Sequence, residues 1–212
     1  MRKIIIVGAG GLGREIMQWV KDFNFAYPNR ALYIKGFIDD NIKSLDGYDC
    51  EYDIIGNIQD WKPNSDEVFA CAFHDPAEKE RAVSLLKSKG AVFETIIHPS
   101  AVVCENSRIG EGFIAYPNCY VSVNVKIGDF VTIMASAIGY DAQIGDYTTI
   151  CSECGISGKI KIGKSVFVGN NAVILTTRNI GDFSHIAPGS VVMTNLKPNS
   201  KVMGNPAKQI LF

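Results

Sequence analysis

The sequence predicts a small doubly wound α/β domain followed by an all-β parallel β-helix with a hexapeptide repeat, on three observations. From Val103 to Val192 an aliphatic residue returns at every sixth position. Residues 1–95 lack that period and alternate strand-like with helix-like segments. Between the first such strand and helix stands a glycine-rich turn, Gly8-Ala9-Gly10-Gly11-Leu12-Gly13.

The first strand is the β-branched run Lys3 to Val7, continuous enough to be buried on both faces. After the glycine turn, Ile16, Met17 and Val20 recur at helical spacing within Arg14 to Phe23. Leu32 to Ile38 reads as a strand ending in Asp39-Asp40, and Ile54-Ile55, Val68 to Ala72 and Val92 to Ile97 read as three more. Asp75-Pro76 opens a helix over Ala77 to Lys89 that stops at Gly90. Strands alternating with helices give a small α/β domain over residues 1–95, joined at His98-Pro99 to the second domain, 96–212. No low-complexity linker separates the two, so they are expected to pack together.

The repeat falls into two ladders. Val103, Ile109, Ala115, Val121, Ile127 and Ile133 form the first; Ile138, Ile144, Ile150, Ile156, Ile162, Val168, Ile174, Ile180, Ile186 and Val192 form the second. They are out of phase because Ile133 to Ile138 spans five residues. A period of six belongs neither to a helix nor to a plain strand. It suits a parallel β-helix, in which six residues make one short strand and a bend, and three such units close a coil. The aliphatic residue points inward, and the residue four after it (Val125, Ala142, Thr148, Val166, Ala172, Ser184, Ser190) fills the corner. Coils stack about 4.8 Å apart and bury their core only against neighbours. The outward valines and the phenylalanines near Phe113, Phe130 and Phe167 are expected to meet other subunits.

A net charge of −1 and the absence of a basic cluster give no reason to expect nucleic acid or an anionic membrane as partner. No apolar run nears 18 residues, and the charged start reaches glycines within a few residues, so neither a membrane span nor a signal peptide is expected and the location reads as cytoplasmic. The six cysteines are scattered and read as reduced thiols. Cys151 and Cys154 have the CxxC spacing of redox and zinc sites, but Cys154 falls on an inward corner and no second pair accompanies it. The structural reading is preferred, and no metal is expected.

Gly8, Gly10 and Gly13 fit GxGxxG in the strand-turn-helix context that gives the pattern meaning. Glycines let phosphates approach the helix N-terminus, whose free N–H groups and dipole favour anions. Asp39 lies where an acid can accept hydrogen bonds from a ribose or base. A domain this short is a half-sized Rossmann-like unit, better suited to a nucleoside diphosphate carrying another group than to NAD.

Taken together, the glycine turn with Arg14-Glu15-Ile16, then Gly36-Phe37-Ile38-Asp39-Asp40-Asn41, Ile97-His98-Pro99-Ser100-Ala101, the ladders and Gly204-Asn205-Pro206-Ala207-Lys208 resemble one family across the whole chain. It is the bacterial sugar O-acyltransferases of the sialic acid O-acetyltransferase type, which include acetyl-CoA-dependent N-acetyltransferases of nucleotide-linked 4-amino sugars. The resemblance implies homotrimers of a Rossmann-like domain fused to a left-handed β-helix. It implies that the first domain holds the sugar nucleotide, here through Gly8, Gly10, Gly11, Asp39 and Asp40, with His74 at a strand end within reach. It also implies that acetyl-CoA lies in a groove between adjacent β-helices bordered by Gly204, Pro206, Ala207 and Lys208.

That family's general base is a histidine in a Gly-His-Asp-Ala-x-Ile-Gly-Asp segment. Here the segment reads Gly139-Tyr140-Asp141-Ala142-Gln143-Ile144-Gly145-Asp146, so Tyr140 takes the histidine's place just after the slip between the ladders. Histidine titrates at about pH 6.5 and suits proton removal, whereas tyrosine, at about 10, is a poor base at neutral pH. A neutral amine is already nucleophilic, so positioning and an oxyanion donor, the backbone N–H of Gly158, can carry the acceleration. Tyr140 then holds the acceptor or passes a proton by way of Asp141. His98 reads as structural and His185 as surface. The competing readings are a sugar-nucleotide-binding or regulatory protein that has lost its base, and an NAD-linked enzyme, which the short first domain disfavours.

Overall fold

The computed structural model describes residues 2–210, and the chain divides into two compact units between Pro99 and Ser100. The first unit runs β1 (Lys3–Val7), α1 (Gly11–Ala26), β2 (Tyr33–Ile38), β3 (Ile54–Gly56), β4 (Glu67–Cys71) and α2 (Pro76–Ser88). Its sheet is parallel, in the order β3-β2-β1-β4. β1 is central, and Ile4 to Val7 are wholly buried, which is why the strand is a continuous apolar run rather than an alternating one. The chain leaves β1 towards β2 on one side and returns as β4 on the other. The carboxyl ends of β1 and β4 therefore form a switch point, where α/β sheets bind ligands.

α1 begins at Gly11, three residues before its apolar spacing becomes visible, because Gly10 serves as the cap. α2 is capped by Asp75, whose Oδ1 accepts from the amides of Ala77 and Glu78, both at 2.9 Å, with Pro76 in the first turn. Val92 to Ile97 is not one strand. Phe93 alone bridges to Phe69, and only Ile96–Ile97 is extended, because the pairing with the β4 edge ends after one residue.

At the opposite end of β4, Glu67 is 3% exposed and accepts hydrogen bonds from Lys35 Nζ, Trp61 Nε1, and both the amide and side-chain N–H of Asn64. Burial raises the Glu67 pKa, but these donors overcome it and bring the value down to about 2. The carboxylate thus anchors the loop before β4.

The second unit is a parallel β-helix whose two-residue strands stack on three faces. One runs through Arg108–Ile109, Lys126–Ile127, Gln143–Ile144, Lys161–Ile162 and Asn179–Ile180; the second from Ile114–Ala115 to Lys201–Met203, closed by antiparallel Lys208–Gln209; the third from Val102–Val103 to Val191–Val192. The ladder residues face inward in register, Ile144 on Ile127 and Ile162 on Ile144.

The residue three after a ladder position occupies the left-handed region, except after Ile133 and Val192. Asn106, Asn118, Asn124, Phe130, Asp141, Tyr147, Glu153 and Lys159 all have φ between 56° and 60°. Such angles disfavour side chains. From Asn118 onward these corners are held by cross-coil bonds such as Asp141 N–H to Val123 O and Lys159 N–H to Tyr140 O. Between Ile133 and Ile138 the five-residue spacing lacks a left-handed corner residue. Ser136 closes that corner instead, donating to Cys151 O at 2.7 Å and accepting from Cys154 N–H at 2.8 Å.

Two aromatic assignments are corrected. Phe113 is fully buried because it occupies the inward corner four after Ile109, and Phe130 is 2% exposed because its ring stacks on Tyr147 at 5.3 Å and packs over Gly112. Neither is available to another subunit.

Candidate active site

In the first unit the candidate positions gather at the carboxyl ends of the strands. Gly8 has φ +101°, and a Cβ on Gly13 would lie 2.0 Å from the Gly8 carbonyl oxygen, so these two glycines shape the turn. Gly10 and Gly11 face open space, and the first turn of α1 carries neither a side-chain cap nor an acidic residue. Its amides and positive dipole end are therefore available to an anion. Arg14, in the same helix, lies 3.6 Å over the Tyr48 ring.

The two aspartates have different duties. Asp39 Oδ2 accepts from Ala9 N–H at 2.7 Å and its Oδ1 from Asn41 N–H at 2.8 Å, which ties the glycine turn to the end of β2. Asp40 Oδ1 accepts from Ile58 and Gln59 amides at 2.9 and 3.3 Å, leaving Oδ2 open. His74 lies in the loop after β4; desolvation and then the nearby Lys79 lower its pKa, so its ring is neutral at pH 7.

Sequence reading missed the contribution of α2. Glu78 and Arg81 join Asp40, Ile58, Phe73 and Leu85 around a recess of about 340 Å³. The missed signal was an acid and a base at i and i+3 on a helix that follows a ligand-type strand end.

In the second unit the edge following the third face carries Tyr140. Its ring lies flat on Gly158 in the next coil, where an added Cβ would fall 2.6–2.9 Å from three ring atoms. Tyr140 is 48% exposed, and among the described residues neither its hydroxyl nor the Gly158 N–H has a hydrogen-bond partner. Asp141 turns to the preceding coil, where its Oδ1 accepts from Asn124 Nδ2 at 3.2 Å. The two side chains thus diverge, and the structure shows no bond between them. Beside the phenol is a shallow recess of about 260 Å³, lined by Tyr120, Ser122, Ser157 and Val173 among others.

The closing segment folds back on the last coil: Ala207 N–H donates to Val191 O at 2.8 Å, Gly204 has φ +104°, and Pro206 and Lys208 are exposed. Cys154 is buried and its thiol donates to Gly169 O at 3.2 Å, while burial raises its pKa. Among the described residues no group of three or more His, Cys, Asp or Glu could hold a metal.

A family model described as the PglD N-terminal domain matches residues 3–86. Over 172 residues, 80% of this chain and 76% of the relative, the sequence is 29% identical to GDP-perosamine N-acetyltransferase of Escherichia coli O157:H7. WeeI from Acinetobacter baumannii AYE superimposes with a TM-score of 0.85 at 27% identity, covering 99% of this chain and 100% of that one. Over most of its length the chain is thus similar to a nucleotide-sugar N-acetyltransferase, and in its first part to the PglD N-terminal domain.

Its coil is the left-handed β-helix of these acyltransferases. The fold is shared with the acetyltransferase domain of PglB from Neisseria gonorrhoeae FA1090, solved in complex with acetyl coenzyme A, at a TM-score of 0.87 and 22% identity over 99% of each chain. The crevice of the first unit offers an uncapped helix N-terminus beside two open glycines. The coil edge offers an unengaged phenol and an unengaged backbone donor on adjacent coils, a pair suited to an acyl acceptor and an oxyanion.

Proposed function

We propose that the protein transfers the acetyl group of acetyl-CoA to the amine of a nucleotide-activated amino sugar, a step in surface-glycan synthesis. The observation that carries this reading is the juxtaposition of Tyr140 Oη and Gly158 N–H, both unengaged among the described residues, at one edge of the coil. The sugar nucleotide is held in the first unit, with its diphosphate at Gly10 and Gly11 and the α1 terminus. Asp39 acts on that ligand indirectly, by holding the Ala9 amide and so the turn. His74 accepts a hydrogen bond from the sugar.

In the reaction the neutral amine attacks the thioester carbonyl carbon. The C–N bond forms, the oxyanion of the tetrahedral intermediate accepts from Gly158 N–H, and the C–S bond then breaks. The departing CoA thiolate and the new ammonium exchange the proton through solvent, so no histidine is required. Tyr140 holds the amine by a hydrogen bond to its phenol, and Asp141 fixes the corner through Asn124 rather than relaying a proton. Gly204, Pro206, Ala207 and Lys208 border the CoA, with the Lys208 ammonium towards its phosphates.

A homotrimer fits the exposed apolar stripe on the third face, which includes Val102 and Tyr120, and light scattering tests it. Among the described residues no helix is long and apolar enough to cross a membrane, and the proposed co-substrates place the reaction in the cytoplasm. The decisive experiment incubates the protein with acetyl-CoA and a panel of nucleotide-linked 4-amino sugars and weighs the products. One sugar gaining a single acetyl group on nitrogen is expected; nucleotide binding without product would instead favour a binding protein that has lost its base.

A further inference from the structure

The recess beside the glycine turn has features that select one nucleobase. Among the acids lining it, Asp39 has both oxygens engaged by Ala9 and Asn41 amides, and Asp40 has one oxygen filled by two amides. Neither can present a complete carboxylate edge to a ligand. Glu78 can, since among the described residues its carboxylate has no hydrogen bond or ion pair, and the same holds for the Arg81 guanidinium. The two stand three residues apart on α2, so their side chains emerge about 5–6 Å from one another. Ile58, Phe73 and Leu85 supply apolar surface for the faces of a flat ring.

We infer that this recess reads guanine, with Glu78 accepting from the N1–H and N2–H donors and Arg81 donating to O6 and N7. The inference rests on the reading that the crevice holds a sugar nucleotide. Guanine alone among the common bases places two adjacent N–H donors beside two adjacent acceptors, which is what a carboxylate and a guanidinium side by side require. Uracil and thymine offer a single N–H between two carbonyls and leave half of the carboxylate unpaired. Adenine lacks the adjacent donor pair.

The test is calorimetric titration of the full chain with GDP, UDP, dTDP and ADP, repeated with Glu78→Gln and Arg81→Leu. Both positions are exposed, and far-UV circular dichroism verifies that the variants fold. GDP is expected to bind at least about tenfold tighter than the other three, since one bidentate base contact discriminates by roughly tenfold or more. Each variant should weaken GDP about tenfold while leaving UDP nearly unchanged. UDP or dTDP binding as tightly as GDP, or variants that weaken all four equally, would overturn the guanine assignment and leave the sugar-nucleotide reading standing. Failure of every nucleotide to bind would overturn both.

Discussion

Gly158→Ala separates the two groups that the coil edge brings together. Alanine keeps the backbone N–H proposed to hold the oxyanion, and the Gly158 backbone does not lie in the left-handed region. The new Cβ, however, would stand 2.6, 2.8 and 2.9 Å from Tyr140 ring carbons, where ordinary contact begins near 3.4 Å. The ring has to move by about 1 Å, and a displacement of that size at a reacting centre costs on the order of 10²-fold in rate. Stability should change little. The ring is half exposed and free to swing, and removing a glycine stiffens the unfolded chain by about 0.4–1 kcal/mol in compensation. Steady-state kinetics with acetyl-CoA and the acceptor should show kcat down about 100-fold, with the melting temperature within a few degrees of native. Unchanged kcat would refute the role given to Tyr140, and a large fall in melting temperature would refute the packing argument.

Three further outcomes follow from the geometry. Ser136→Ala removes the bonds to Cys151 O and Cys154 N–H at the slipped corner, and should destabilise the β-helix by about 1–3 kcal/mol in urea unfolding followed by circular dichroism. Glu67 has a folded pKa of about 2 against an ordinary 4.5, so its contribution of about 3 kcal/mol is present above pH 4.5 and lost as pH falls towards 2. Both tryptophans, Trp19 and Trp61, lie in the first unit, so their fluorescence reports that loss, and Glu67→Gln should flatten the dependence. Lys208→Ala should raise KM for acetyl-CoA severalfold while the affinity for nucleotide stays constant, because Lys208 lies in the second unit.

The β-helix was legible because its signal is repeated many times and each repeat obeys one steric rule. The aliphatic column became the core from Ala115 to Val192, while Val103 and Ile109 in the first coil stay half-buried, and the interruption at Ile133 located the corner closed by Ser136. The left-handed column was not read, although Asn106, Asn118, Asn124 and Asn171 advertise it, because asparagine also suits ordinary turns. Phe130 was misplaced for a related reason: a single column position can take a large ring where a glycine in the neighbouring coil, here Gly112, leaves room. In the first unit, strand and glycine-turn patterns are local and were visible. Glu78 and Arg81 were not, since only the folded chain brings the face of α2 to Asp40. The segment around Tyr140 was recognisable, whereas the opposite headings of Tyr140 and Asp141 depend on coil stacking.

The central claim, that this edge transfers acetyl groups with Tyr140 beside the Gly158 amide and without a histidine, is tested most directly by thiol release. CoA liberated from acetyl-CoA would be followed with nucleotide-linked amino sugars, native protein beside Tyr140→His. The account predicts release by the native protein with one sugar, and a histidine variant that gains rate by no more than the 10²–10⁴ that general-base assistance supplies, roughly, elsewhere. Silence from the native protein, with activity appearing only in the histidine variant, would contradict it.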